Sequence, residues 1–178
     1  MTITLLSFIT LSLFMLHEFD EIVLIRPWIE ANAENPRFKD EIFIAGKENY
    51  QSTSSIAFLI AEEFLLAFIL CLLSILTNFP ALALAVSICH TLHLLSHIVQ
   101  VLRFRVWVPG GFTAVLTFPL LTLVLGLYFY LHSVNWLFLL LLTILTMMLL
   151  LGNLRFLHSK SLVVDTWIKK QVRKTKDH

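Results

Sequence analysis

Charged side chains are scarce in this chain, and their scarcity excludes an ordinary soluble domain. Only 14% of the 178 residues are Asp, Glu, Lys or Arg, whereas 58% are hydrophobic. The mean hydropathy is +0.84, which is typical of a membrane protein. The formal net charge is +1, so no overall charge bias favours nucleic acid or an acidic partner. The composition therefore predicts a protein whose main partner is the lipid bilayer.

Cysteine is also rare, because the chain has only Cys71 and Cys89, both within apolar runs. Two isolated cysteines build no disulfide framework and are poor grounds for a thiolate metal site. The sequence also lacks HExxH, GxSxG, a P-loop and GxGxxG, and His90-Thr-Leu-His93 lacks the glutamate of a zincin helix. These absences exclude the soluble enzyme classes that the motifs define.

Long apolar runs predict an all-α, polytopic membrane protein, a bundle of five transmembrane helices. A spanning helix needs about 20 mostly apolar residues. We predict spans at about residues 3–25, 56–77, 81–102, 112–131 and 135–157. They form one domain, residues 1–158, and residues 159–178 form a basic cytoplasmic tail. The first span is cleanly apolar only over residues 3–16, but it lacks the basic start and the cleavage site of a signal peptide.

The positions of Lys and Arg predict the orientation of these spans. With the N-terminus outside and the C-terminus in the cytoplasm, every Lys and Arg lies in a cytoplasmic segment, at a cytoplasmic span end or in the tail. The segment 26–55 is too polar to span, and its apolar residues alternate with charges. We expect it to lie on the cytoplasmic surface as an amphipathic helix.

Eight ionisable residues lie within or beside the apolar runs, where such residues mark function by default. The predicted orientation places all of them in the cytoplasmic half of the bilayer. Helical spacing of three or four residues puts several of them on shared faces. Helix bundles build metal sites from such inward stripes of His and carboxylate. The eight residues are His17, Asp20, Glu21, Glu62, Glu63, His90, His93 and His97.

Less specific interpretations compete with a metal site. A lone intramembrane His is more often a hydrogen-bonded packing residue than a ligand, and an acid near a span end is often solvated. Glu21 could simply pair with Arg26, and Asp20 could face lipid headgroups. A His–Glu proton relay would use the same residue types. The remaining histidines are predicted to be structural or solvated, namely His132, His158 and His178.

Several short motifs together resemble the HXXEE domain family of small bacterial integral membrane proteins. His17-Glu-Phe-Asp20-Glu21 is similar to the family's motif, with Asp in place of the first Glu. Arg26-Pro27-Trp28, His93-Leu-Leu-Ser-His97 and Arg105-Val-Trp-Val-Pro109-Gly110 also resemble family elements, so the likeness covers about residues 10–125. The resemblance implies a helical protein of the bacterial inner membrane with a suspected metal site. It implies no settled activity.

Two classes of function follow. The first is an intramembrane metalloenzyme of the hydrolase type, with a divalent metal, zinc first and iron second; di-iron oxidase chemistry is the second choice. Its substrate would be a lipid or a membrane peptide near the cytoplasmic face. The second class is a non-enzymatic metal-binding, transport or immunity protein. The predicted metal ligands are His17, Glu21, His93, His97 and Glu63, with His90 as a further candidate.

Other residues receive supporting roles in the metalloenzyme hypothesis. Asp20 or Glu62 would act as the general base, although the sequence leaves open which of Glu62 and Glu63 faces the site. Arg103 and Arg105 would bind an anionic headgroup or phosphate. No nucleic-acid partner is expected, and the oligomeric state stays open.

Overall fold

A computed structural model describes residues 1–174 of the chain, and this part is all-helical. Two short 3-10 turns, Pro36–Phe38 and Lys47–Asn49, interrupt the segment between the first and third helices. The predicted residues Lys176 and His178 lie outside the described part. The α-helices in it are α1 (Ile3–Asn32), α2 (Ile42–Ala45), α3 (Thr53–Leu76), α4 (Pro80–Phe104), α5 (Gly111–Leu131), α6 (Trp136–Ser159) and α7 (Ser161–Lys174).

Within residues 1–174, the four helices α3, α4, α5 and α6 are long and apolar enough to cross a membrane. Their bounds lie within three residues of the last four predicted spans. Local chemistry sets these bounds. A capping box between Ser52 and Ser55 starts α3, and Pro80 occupies the first turn of α4. The chain is therefore a multi-pass, membrane-type helical bundle.

The first helix is longer than each of the four, and its middle carries the ionisable residues His17, Glu18, Asp20 and Glu21. It packs against α3, α4 and α5. The Met1 carbonyl lies 2.9 Å from His132 Nε2, at the turn between α5 and α6. The rings of Phe79 and Phe138 meet edge-on with centroids 5.8 Å apart, which brings the α3–α4 turn to the same end of the bundle. We call this the turn end, and the opposite end the site end.

The apolar core at the turn end is built from small and branched side chains. Leu6 of α1 packs with Ala83 and Leu84 of α4 and with Leu121 of α5, and all four are buried. The Thr10 and Ser87 hydroxyls form a hydrogen bond of 2.7 Å between α1 and α4, so both buried hydroxyls have a partner and neither needs a charged group. Small residues let α1 and α4 approach closely here.

The segment 33–55 differs from the expected amphipathic surface helix. The first helix continues through Pro27 to Asn32, well past the predicted end of the span at residue 25. The rest folds as short turns whose aromatic residues point inward. Phe38 and Phe43 are buried against Ile25, Ile29 and Phe104. The expectation was wrong because the alternation of apolar and charged residues reflects turns that cover the bundle, not one continuous helix.

The basic tail begins as an amphipathic helix, α7, that docks on the start of α3. The Ser52 hydroxyl donates to Asp165 Oδ1 at 2.6 Å, and Phe58 packs on Trp167. Lys169 lies 2.6 Å from Asp165 Oδ2 and lowers the pKa of that carboxyl. The exposed residues Lys169, Lys170 and Arg173 give the helix a basic face beside the site end.

Candidate metal centre

Helices α1 and α4 together bring four potential ligands to one point in the site end. His17 and Glu21 are one turn apart on α1, and His93 and His97 are one turn apart on α4. Each contributes one donor atom, and the four atoms all lie within 4.8 Å of one another. Two stripes that share a helical face thus meet across the α1–α4 contact.

The distances between these donors have the scale of a metal shell. Glu21 Oε1 lies 2.9 Å from His97 Nε2, 3.6 Å from His17 Nε2 and 3.9 Å from His93 Nε2. His17 Nε2 and His93 Nε2 are 3.1 Å apart. Ligands in a tetrahedral zinc site with bonds of 2.0–2.2 Å are separated by roughly 3.3–3.6 Å. Two of the four observed distances, 2.9 and 3.1 Å, are shorter than that separation, the distance of 3.6 Å matches it, and the distance of 3.9 Å is longer.

The cluster is removed from solvent, and its carboxylate is short of partners. His17 and His97 are almost fully buried, while the His93 side chain is 38% exposed. Glu21 Oε1 is buried and accepts no hydrogen bond of acceptable geometry, even though His97 Nε2 is close. A buried carboxylate oxygen without a donor is costly. A cation held by this oxygen and the imidazole nitrogens would remove that cost, so the donor set fits a metal.

Neighbouring groups orient two of the imidazoles. His97 Nδ1 lies 3.2 Å from the Pro109 carbonyl, to which it can only donate. His17 Nδ1 lies 3.1 Å from Thr113 Oγ1, and this hydroxyl donates to Asp20 Oδ2 at 3.0 Å. The Thr113 oxygen is therefore left to accept from His17. With both Nδ1 atoms protonated, both Nε2 lone pairs face the cluster, as metal-binding histidines require.

Gly110 closes the cluster from the side of α5. Its φ is +74°, in the left-handed region that favours glycine. A Cβ at this position would lie 2.9 Å from each of three cluster atoms, Glu21 Oε1, His17 Cε1 and His97 Nδ1. The loop before α5 therefore approaches the ligands as closely as its backbone allows.

A cavity of about 380 Å³ opens beside the cluster, between α1, α2, α3, α4 and α6. Glu21, His93 and His97 form part of its wall, so three of the four donors face it. Most of the wall is apolar, and Glu18, Glu63 and His90 add polar groups. The volume is within the range of small-molecule sites.

The other sequence-predicted residues lie at different places. Glu63 lines the cavity, but Glu62 does not, because its Oε2 accepts a hydrogen bond of 2.7 Å from Asn153. His90 is buried in the cavity wall and neither ring nitrogen has a hydrogen-bond partner. Arg103 pairs with Asp40 at 3.7 Å, and neither it nor Arg105 lines the cavity. The structure thus brings Glu63 and His90 to the cavity and leaves Glu62 and the two arginines outside its wall.

Sequence reasoning missed Glu18, which occupies the first variable position after His17. Glu18 is buried in the cavity wall, and its Oε1 lies 3.8 Å from His93 Nε2. The signal was present, because Glu18 and Glu21 are three residues apart and share a helical face. His158 was expected to be structural or solvated, but it also lines the cavity and packs edge-on against Tyr50.

Glu41 is a second missed residue and supports the cluster from outside. Its Oε2 accepts from Trp28 Nε1 and from the backbone N–H groups of Phe43 and Ile44, which starts α2. This helix places Phe43 in a stack on the His97 ring, with centroids 6.1 Å apart. Burial raises the pKa of Glu41 despite these donors. No sequence motif marks such a cap.

The fold and the cluster define a class of protein, a multi-pass helical membrane protein with three buried or half-buried histidines around one carboxylate. The chain belongs to the HXXEE family, described as proteins of unknown function with an HXXEE motif, whose model matches residues 8–125. The match includes all four cluster residues. No curated protein and no solved structure shows significant similarity to the chain.

Proposed function

We propose that this protein binds a divalent transition metal inside the membrane, zinc first and iron second, through His17, Glu21, His93 and His97. The convergence of four donor atoms within 4.8 Å carries the proposal. Three imidazoles and one carboxylate suit either metal. A proton relay through the same residues would instead need a protonated His97 Nε2 to donate to Glu21 Oε1, which lies 2.9 Å away.

We further propose that α1 is a fifth span, with the N-terminus outside and the C-terminus in the cytoplasm of a bacterial cell. The contact between Met1 and His132 supports a crossing, because α1 starts at the turn end and finishes at the site end. The absence of Lys and Arg from both short turns at the turn end supports the orientation. Cysteines placed at Asn135 and Lys174 should react with membrane-impermeant reagents from opposite sides. Reaction of both from one side would contradict the orientation.

We propose an enzymatic role, of the hydrolase type, on a lipid-like or membrane-embedded substrate. The cavity beside the cluster supports it, because a substrate there would contact three of the four donors. A bound zinc ion would supply Lewis-acid activation of water, and iron would supply oxidation chemistry. Glu18 and Glu63 line the cavity and are placed to accept or hold a proton.

We revise the roles proposed for three of the acids and keep the role proposed for the two arginines. Asp20 bonds Thr113 and Glu62 bonds Asn153, so we assign Asp20 to positioning His17 and assign the base to Glu18 or Glu63. Arg103 and Arg105 lie outside the cavity wall. They remain a proposed contact for a headgroup at the membrane surface, away from the cluster.

One observation favours a second, non-enzymatic function. Four protein ligands complete a tetrahedral shell, and a closed shell is the pattern of structural zinc sites. A closed shell of four protein ligands is sufficient for a metal-binding, transport or immunity module. The two functions differ in what they require of the cavity, since a structural metal does not need a ligand there.

Elemental analysis of the purified protein tests the metal. We expect close to one equivalent of zinc or iron in the wild type, and loss of that metal in His93→Ala and in His97→Ala. His132→Ala is the matched control, because His132 is exposed at the turn end, and it should keep its metal. Affinity should also fall as pH drops through the His range, since protons compete for the imidazoles. A metal-free wild type that gains no thermal stability from added zinc, iron or manganese would refute the proposal.

A further inference from the structure

We infer that the cavity holds the acyl chain of a bilayer lipid, which reaches it sideways between α4 and α6. This inference deepens the proposed function, because it chooses an acyl lipid over a membrane peptide as the ligand of the same site. It depends on three features of the cavity: where it opens, what lines it and where its polar groups lie.

The cavity opens on the lipid-facing surface. Among its wall residues, those on α1 and α3 are buried or half-buried, whereas Leu92 and Ser96 of α4, Leu151 of α6 and Ile42 are exposed. Leu92 and Leu151 are 43% and 56% exposed, and both lie in the middle of candidate spans. Because these side chains reach both the cavity and the outer surface, we place the opening to lipid between them. We call the gap between Leu92, Ser96 and Leu151 the portal.

The wall suits a hydrocarbon chain. Leu59, Ile60, Met147, Leu150 and Leu154 line it from α3 and α6. Such side chains offer dispersion contacts and no hydrogen bonds. Lipid chains and this wall are equally apolar, so a chain can move in from the bilayer without a desolvation cost.

The polar groups lie together at one part of the wall, beside the metal cluster. Glu18 Oε1 is 3.8 Å from His93 Nε2, and Glu63 and His90 line the same cavity. Neither ring nitrogen of His90 has a partner. A lipid whose chain fills the apolar part would bring its carbonyl or acid group to these side chains. A single polar end on a long apolar chain matches the division of the wall.

A peptide matches this division of the cavity wall less well than a lipid does. An unwound peptide brings a backbone N–H and C=O with every residue, and each costs several kcal/mol in an apolar site if it stays unpaired. The apolar wall from α3 and α6 provides no such partners. A peptide that remained helical would be about 10 Å across, which is much wider than a single acyl chain.

Photolabelling in phosphatidylcholine vesicles tests the inference with a palmitic acid analogue that carries a diazirine in mid-chain. Labelled residues are mapped by mass spectrometry. We expect labels on Ile60, Met147 and Leu150 inside the cavity. The double variant Leu92→Trp with Leu151→Trp narrows the portal and should lower cavity labelling by about tenfold or more, as expected if a bulky ring blocks the path.

The matched control is Leu95→Trp with Leu149→Trp. These leucines lie on the same two helices and are 41% and 48% exposed, but they do not line the cavity. In this control, the amount of photolabel on the cavity residues should equal that in the wild type. If the portal pair misfolds, Leu92→Phe against Leu95→Phe makes the same comparison with a smaller side chain.

The outcomes separate this inference from the proposed metal when metal content is measured on the same samples. Metal-loaded wild type without cavity labels would overturn the lipid inference and leave the metal proposal standing. Cavity labels on a protein that binds no metal would support the lipid inference and refute the metal. Equal cavity labelling in the portal pair and its control would overturn the sideways route.

Discussion

The two ends of the bundle solve the same packing problem with different chemistry. At the turn end, α1 and α4 meet through Leu6, Ala83 and Leu84, and their buried hydroxyls pair with each other. At the site end, the same two helices meet through His17, Glu21, His93 and His97. The turn end needs only close approach of small side chains. The site end buries groups that need a counter-charge or a proton in a fixed place. The ionisable side chains buried between α1 and α4 thus lie at the site end, and such clusters are typical of functional sites.

A glycine substitution at each end should show the largest difference. Gly110→Ala places a Cβ 2.9 Å from three cluster atoms and strains a backbone with φ +74°. Left-handed backbone alone costs about 1–2 kcal/mol for a non-glycine residue, and the clash adds to it. We expect bound metal to fall below detection by elemental analysis.

Gly126→Ala is the matched control in the turn half of the same helix, α5. Nothing lies within 4 Å of its added Cβ, and alanine favours a helix by about 1 kcal/mol over glycine. Gly126→Ala should keep its metal, and its melting temperature should stay the same or rise slightly. Full metal content in Gly110→Ala would mean that the loop before α5 does not close the site.

A smaller effect is expected from removing one hydroxyl at each end. Thr113→Val deletes the group between Asp20 and His17, so His17 loses its orienting partner. Loss of such an outer contact weakens metal binding by about 10–100-fold. Competition with a chromophoric chelator would measure it.

Thr10→Val removes a hydroxyl of similar burial that bonds Ser87 at the turn end. It should lower the free energy of unfolding by about 1 kcal/mol and leave metal affinity unchanged. Equal metal affinity in the two variants would remove the distinction between the ends.

The smallest effect concerns charge that lies outside the bundle, on α7. Lys169 lowers the pKa of Asp165, so the ionised carboxylate favours the docked helix. This contribution is complete above the ordinary Asp pKa of about 3.9 and is lost as pH falls through the lowered pKa. The protection of the α7 amides against hydrogen exchange, corrected for the intrinsic exchange rate at each pH, should therefore fall only in acid.

Asp165→Asn should flatten that pH dependence, while Asp40→Asn should not. Asp40 is an exposed carboxylate that pairs with Arg103 rather than with α7. An unchanged pH profile in Asp165→Asn would show that α7 docks through its apolar contacts alone.

Most of the helices could be predicted from the sequence, because apolar length and turn residues are local signals. Pro80 and Ser52 mark helix starts that the structure places there. The end of α1 was misjudged, because burial of Ile25 and Ile29 extends the helix past Pro27 and its charged neighbours. The inward turns of segment 33–55 depend on contacts with Ile25 and Phe104, which no local pattern encodes.

The candidate site was partly predictable for the same reason. Spacing of four residues identified the pairs His17–Glu21 and His93–His97, and the structure places both pairs together. Spacing could not choose between Glu62 and Glu63, whose neighbouring positions differ by about 100° around the helix. Glu41 was missed, and Gly110 was noted only as part of a family element, because the importance of each lies in contacts across the chain, with Trp28 and with the cluster respectively.

The separation of the two ligand pairs along the chain has a consequence for biosynthesis. His17 and His93 are 76 residues apart, so the ribosome delivers α1 long before α4. On the proposed five-span topology, His17 and Glu21 would lie in the membrane without the surrounding histidines until α4 inserts. Gly110 emerges only after both pairs are present. Loading of the proposed metal would therefore be a late step in assembly, completed when the start of α5 closes over the ligands.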